Sequence, residues 1–219
     1  DSYIASEFYY DYSINNLNIR SYPRVRLKDY LDSGKVYCGK YYVVLTENTT
    51  IGIDSYGMYC GGTELDTITY CQIPLTYLTP QISWQGNPLV DTVNWTAVSG
   101  TFVANGREKY ALIGNFKSDA STQTVVSNPN NFPVVFNDNF IDDVSLVEME
   151  LPAYAGNDTN IVAGDSAFIG REPDVGIDYA CQWYQLPNDS VPIDTVAGLW
   201  VKPTVKTTYV VRQQLWCSG

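Results

Sequence analysis

The side chains able to do chemistry in this sequence are almost all carboxylates. Seventeen Asp and seven Glu stand against thirteen Lys and Arg, for a net charge of −11, and there is no histidine. That composition excludes a Ser-His-Asp or Cys-His nucleophile, a histidine general base and a histidine-ligated zinc ion. Paired carboxylates remain, and these can hydrolyse glycosidic bonds without histidine. The densest acidic run is Asp138-Asn139-Phe140-Ile141-Asp142-Asp143. Neighbours on a strand point to opposite faces, so Asp142 and Asp143 cannot work as one pair, and nothing in the pattern marks a cleft at Asp138. Strand alternation instead places Asp142 on one face with Phe140, Val144 and Leu146. A carboxylate on an apolar face must be paired, hydrogen-bonded or metal-bound, and its plainest form is a strand-end Asp bonded to backbone amides.

Aromatic side chains are the second chemical resource. Trp84 lies in Pro80-Gln81-Ile82-Ser83-Trp84-Gln85-Gly86-Asn87-Pro88, a loop-like setting in which an indole can stack on a pyranose. Tyr56 and Tyr59 are expected to line the same surface, whereas Trp95 and Trp183, set within strand-like runs, are expected in the core. The chain contains five cysteines and no CxxC pair, which removes the zinc-ribbon and thioredoxin patterns. Cys60 and Cys71 flank a short Gly-containing excursion suited to a local disulfide. Cys181 and Cys217 fall in two strand-like segments that a second disulfide can join. Cys38 is then left buried or paired outside the chain.

Several elements must position these residues, and their pattern is all-β. Short runs rich in Val, Ile, Tyr and Thr alternate with Gly, Asn, Pro and Asp, and helical periodicity is nearly absent. Strands are expected at 2–12, 24–27, 36–45, 50–59, 67–73, 93–103, 109–116 and 139–147. Asn105-Gly106 reads as a type I′ hairpin turn between two alternating runs. A linker at Leu151-Pro152-Ala153-Tyr154-Ala155-Gly156 divides residues 1–150 from 151–219. Three further strands, at 165–170, 180–185 and 207–216, follow it. The Cys181-x-Trp183 strand and the later strand toward Cys217 suggest a small immunoglobulin-like sandwich that stops before its last strand. No run approaches the ~18 apolar residues of a membrane span. The acidic balance also disfavours nucleic acid, whose phosphates would be repelled.

Ser33 to Val43 (SGKVYCGKYYV), Asn94 to Phe102 (NWTAVSGTF), Tyr110 to Phe116 (YALIGNF) and Phe140 to Leu146 (FIDDVSL) occur in that order. So do Ala155 to Thr159 (AGNDT), Gly164 to Ser166 (GDS), Gly198 to Thr204 (GLWVKPT) and Thr207 to Val211 (TTYVV). Together, over about residues 23–219, they resemble the modular surface proteins that Bacteroidota export by type IX secretion. The resemblance implies a jelly-roll (galactose-binding-like) sandwich, lacking some first strands, followed by an Ig/PKD-like sandwich. It implies a non-catalytic structural or adhesive part of a large cell-surface protein or filament. The partners would be other modules or copies, or surface polysaccharide. The alternative is a carbohydrate-binding module of a secreted glycan-degrading enzyme. Sugar-binding jelly rolls hold a structural calcium with an acid of their last strand, which by resemblance makes Asp142 a candidate calcium ligand. No other cofactor is required. Asp-Ser/Thr-aliphatic triplets resemble the O-glycosylation signal of the same bacteria, at Thr67, Thr92, Ser166, Ser190 and Thr195. Five occur where chance composition gives about one.

Overall fold

The computed structural model describes residues 3–12, 17–62, 74–127, 135–172 and 180–217. Among them, regular structure is strand throughout apart from one 3-10 turn at Asp119–Ser121. The expected strand at 67–73 and the Cys71 thiol lie outside the described residues. The chain divides into two compact units, Asp1–Leu146 with Cys217–Gly219, and Val147–Trp216.

In the first unit, one antiparallel pair joins β1 (Ile4–Tyr12) to β2 (Leu17–Ile19) and another joins β1 to β11 (Val135–Glu148). β4 (Val36–Leu45) and β8 (Thr96–Val103) complete a five-stranded sheet in the order β2-β1-β11-β4-β8. A four-stranded sheet runs β3 (Arg24–Arg26), β9 (Tyr110–Gly114), β6 (Gly57–Gly61) and β7 (Ile82–Ser83). β5 (Ile51–Ile53) pairs separately with β10 (Thr124–Val126). Alternation sends successive side chains to opposite faces, and β9 is buried on both: Ala111 and Ile113 face the main core, while Tyr110 and Leu112 pack with Leu75, Leu78 and Phe116 in a second cluster. Phe8, Tyr41, Val43, Val98 and Ile141 from the five-stranded sheet join Met58, Ile82 and Ile113 from the four-stranded sheet in one apolar core. Each fully buried aliphatic or aromatic side chain there stabilises the fold by about 1.5–3 kcal/mol relative to exposure.

Three local expectations are corrected. The run expected as a single strand at 50–59 breaks into β5 and β6, which belong to different sheets. The break falls at Asp54, whose carboxylate accepts the Gln123 backbone N–H (2.9 Å) and the Lys117 ammonium (2.8 Å). Asn105-Gly106 is not a hairpin turn, because β8 pairs with β4 while β9 pairs with β3 and β6. A type I′ turn needs positive φ at both central residues, and here only Gly106 has it, at 85°. The connection is tight because Glu108, buried, accepts the backbone N–H groups of Asn105, Gly106 and Arg107 at 3.0–3.1 Å. Trp95 is 42% exposed rather than core, since it precedes β8 beside a turn held by Asp91.

The second unit holds two antiparallel pairs: β12 (Ala167–Gly170) with β14 (Gly198–Val201), and β13 (Cys181–Gln185) with β15 (Tyr209–Gln213). Trp183 is fully buried, as expected, and its indole N–H donates to Val196 O (2.9 Å). β14 had no counterpart among the expected strands.

The disulfide pattern differs from the expected one. Cys217 is bonded to Cys38 on β4, with Cα atoms 5.6 Å apart. Cys181 is instead in register with Gln213, toward whose Oε1 its thiol points at 3.8 Å, and Cys217 lies beyond the end of β15. Cys60 is a buried thiol with no bridge among the described residues, and burial with nearby Glu108 pushes it up to about 12. Cys38, expected to be left over, thus makes the covalent link within the chain.

Candidate functional site

Trp84 follows β7 directly, and the strand fixes its backbone through a hydrogen bond from its N–H to Tyr56 O (2.8 Å). The indole N–H donates to Asn87 O (2.8 Å), closing the loop on itself. Gly86 permits this fold-back, because a Cβ there would stand 2.3 Å from the Trp84 ring. The indole is half-buried against the core. Two hollows meet at it. One, of about 440 Å³, is lined by Ser83 to Gly86 and by Ala97 to Ser99. The other, of about 250 Å³, has Tyr56, Leu78 and Phe116 among its apolar lining and the Asp54–Lys117 ion pair among its polar lining. Thr76 and Thr79 add exposed hydroxyl-bearing side chains. An aromatic wall with a carboxylate, an ammonium and hydroxyls is chemistry suited to a polyhydroxylated ring.

The expected aromatic trio assembles only in part: Tyr56 lines the smaller hollow with Trp84, and Tyr59 does not. Tyr56 is 1% exposed, and its hydroxyl donates to Asn139 Oδ1 (3.2 Å) inside the core. Asn139 in turn donates to Asn137 Oδ1 (2.7 Å), and Asn137 donates to Ile51 O (2.9 Å), so the buried amides are satisfied together. Burial pushes the Tyr56 phenol up, opposed by its Asn137 hydrogen bond. Tyr59 packs beside Phe116, with ring centroids 6.2 Å apart, and lines neither hollow. Asp54 and Lys117 were missed in the sequence because they lie 63 residues apart with no shared motif.

Asp142 does not share a face with Val144 and Leu146. Asp143 has φ 49°, a left-handed residue that breaks the alternation of β11. Asn137, Asn139 and Ile141 face inward before it, and Val144 and Leu146 pack on the core after it. The Asp142 carboxylate accepts the Asp143 backbone N–H (2.8 Å), the plainer of its two expected roles. Among the described residues no three Asp, Glu or Cys side chains group closely enough to hold a metal ion.

An unexpected carboxylate pair spans β1 and this strand. Glu7 of β1 stands directly opposite Asp138 of β11. Burial, then the Asp138 charge, push Glu7 up to about 7, and burial raises Asp138. Alternation along β11 also places Asp142, two pleats on, with Phe140 between them, and Phe140 packs on exposed Tyr3 at 4.5 Å.

The four glycosylation-like triplets among the described residues fall on loops or strand ends. Ser166 and Ser190 are exposed, and Thr92 and Thr195 are half-buried. Thr67 lies outside the described residues. Asp91 accepts the backbone N–H (2.9 Å) and side-chain amide (2.9 Å) of Asn94 and the backbone N–H of Val93 (2.8 Å), which hold its carboxyl below the usual range. Asp194 accepts those of Thr195 (2.7 Å) and Val196 (3.3 Å). In both cases the Asp of the triplet builds the turn that presents the hydroxyl residue.

Comparison with protein-family models and with curated proteins finds no match to this chain.

Proposed function

We propose that this chain is a non-catalytic, extracellular structural and adhesive segment of a large surface protein or filament. In this reading the first unit is a jelly-roll-like sandwich and the second an Ig/PKD-like sandwich, of the kind displayed after type IX export. The observation that supports it best is the Cys38–Cys217 disulfide, which ties the residue after the second unit back to β4 of the five-stranded sheet. Such bonds persist in oxidising compartments, outside the reducing cytosol. Exposed Ser166 and Ser190 supply surfaces for O-linked glycans. Labelling intact cells with a membrane-impermeant reagent tests the reading. Modification of this segment before lysis is the expected result, and protection until lysis contradicts it.

A second reading, a carbohydrate-binding module, has its own observation in the hollow between Trp84 and the Asp54–Lys117 pair. A glycan array followed by titration of Trp84→Ala and Lys117→Ala separates the two. Specific saccharide binding lost in both variants selects the binding module. An array with no specific hit selects the structural segment.

A further inference from the structure

Charge is unevenly distributed along this acidic chain. Residues 24–35 and 105–109 hold six cations (Arg24, Arg26, Lys28, Lys35, Arg107, Lys109) and three carboxylates (Asp29, Asp32, Glu108), a balance of +3. Subtracting these from the totals of thirteen and twenty-four leaves seven cations and twenty-one carboxylates elsewhere, a balance of −14. The fold brings the two basic segments side by side. β3 pairs with β9, Leu27 N–H donates to Lys109 O (2.8 Å), Leu31 N–H donates to Glu108 O (3.2 Å), and the Lys109 ammonium donates to Lys28 O (2.7 Å). Glu108 is buried and occupied by backbone N–H groups, so it does not offset the charge outside. Arg26, Lys28 and Arg107 are exposed and form no ion pair among the described residues. Val25 (49% exposed) and Tyr30 (52% exposed) lie among them.

The same unit carries the opposite kind of surface. Residues 118–146 of that unit contain four carboxylates and no cation. Within them, β11 presents Asp138 against Glu7 of β1, with Asp142 and exposed Asp143 beyond. None of these four has an ion pair among the described residues. Like charges directly opposite on adjacent strands destabilise a sheet, and a cation brought from outside relieves that repulsion. Exposed Tyr3 on Phe140 gives this face an aromatic centre, as Tyr30 and Val25 give the basic face an apolar one.

We propose that the basic β3–β9 patch of one copy docks on the acidic β1–β11 face of a second copy, a head-to-tail contact that adds unit to unit. The two surfaces differ and lie on one chain, so the contact is heterologous and propagates unless rotation closes a ring. At physiological salt the Debye length of about 8 Å screens the repulsion between two net-acidic molecules while leaving close charge pairs in place. This deepens the surface-segment reading, on which it rests, by naming the two faces that meet, and a chain that stays monomeric would leave that reading standing.

The test uses the whole 219-residue chain at about 0.15 M salt. Sedimentation equilibrium is recorded for the wild type, for Arg26→Glu/Arg107→Glu and for Glu7→Lys/Asp143→Asn. The second pair is chosen to fold, since Lys at position 7 gains Asp138 opposite it and Asn tolerates a left-handed φ. The wild type should self-associate with rising concentration, and each variant alone should lose about tenfold or more in association. Mixed one to one, the variants should pair, because one keeps an intact acidic face and the other an intact basic patch. A monomeric wild type overturns the proposal, as do variants that associate like the wild type. A monomeric wild type retained on a sulfated polysaccharide, and released by Arg26→Glu/Arg107→Glu, also overturns it and assigns the patch to a foreign polyanion.

Discussion

The buried polar residues carry most of what is specific about this chain. Tyr41 is fully buried on β4, and its hydroxyl has no hydrogen-bond partner among the described residues. A lone buried hydroxyl costs more than it returns. Tyr41→Phe is therefore expected to raise unfolding free energy by about 1 kcal/mol in urea denaturation. Glu7 makes a pH-dependent contribution. Its folded pKa of about 7 exceeds the ordinary 4.5, so the folded state holds the proton more tightly than the unfolded chain. Stability from this residue is full below about 4.5 and is lost as pH rises through about 7. Solvent screening limits the effect to the order of 1–2 kcal/mol. Glu7→Gln should flatten stability between pH 5 and 8, as measured by denaturant midpoints across that range, and an unchanged slope contradicts the assignment. The burial of Trp183 was legible in its sequence setting. The Glu7–Asp138 pair was not, because cross-strand register between residues 131 apart leaves no local trace.

At the scale of elements, period-two patterning located most of the long strands. β4 falls where Val36 to Leu45 predicts it, and β11 begins four residues earlier than expected. Sheet membership was illegible at two places where a side chain redirects the backbone. Asp54 splits one apparent strand into β5 and β6, and Glu108 turns an apparent hairpin into a crossover between sheets. Asp143 did the same to side-chain facing, since a single left-handed residue shifts the alternation by one. The short β14 was missed because Gly198 opens it, yet that glycine and Gly170 let β12 and β14 approach. Gly170 has φ 91°, and a Cβ on it would lie 2.6 Å from both Ala197 O and the Trp183 ring. Gly170→Ala combines a disfavoured φ with overpacking and should cost about 2–4 kcal/mol. Faster hydrogen exchange at the Trp183 indole N–H would report the loss.

At the scale of the whole molecule, the absence of histidine and the acidic balance constrained chemistry before any element was placed. They left carboxylates and aromatics, and the fold divides these between a Trp84 hollow and an acidic strand face. The covalent closure was not legible, because the five cysteines allow several pairings and the observed one spans 179 residues. In the chain-entropy picture a loop of that length stabilises the folded state by about 5 kcal/mol. Cys217→Ser should therefore lower stability by a large part of that figure in denaturant unfolding. The most direct test of the central claim is a peptide map of the protein, alkylated without reduction and read by mass spectrometry. The account predicts one linked species joining the Cys38 peptide to the Cys217 peptide. Cys217 joined to Cys181, or Cys38 and Cys217 both recovered as alkylated thiols, would contradict it.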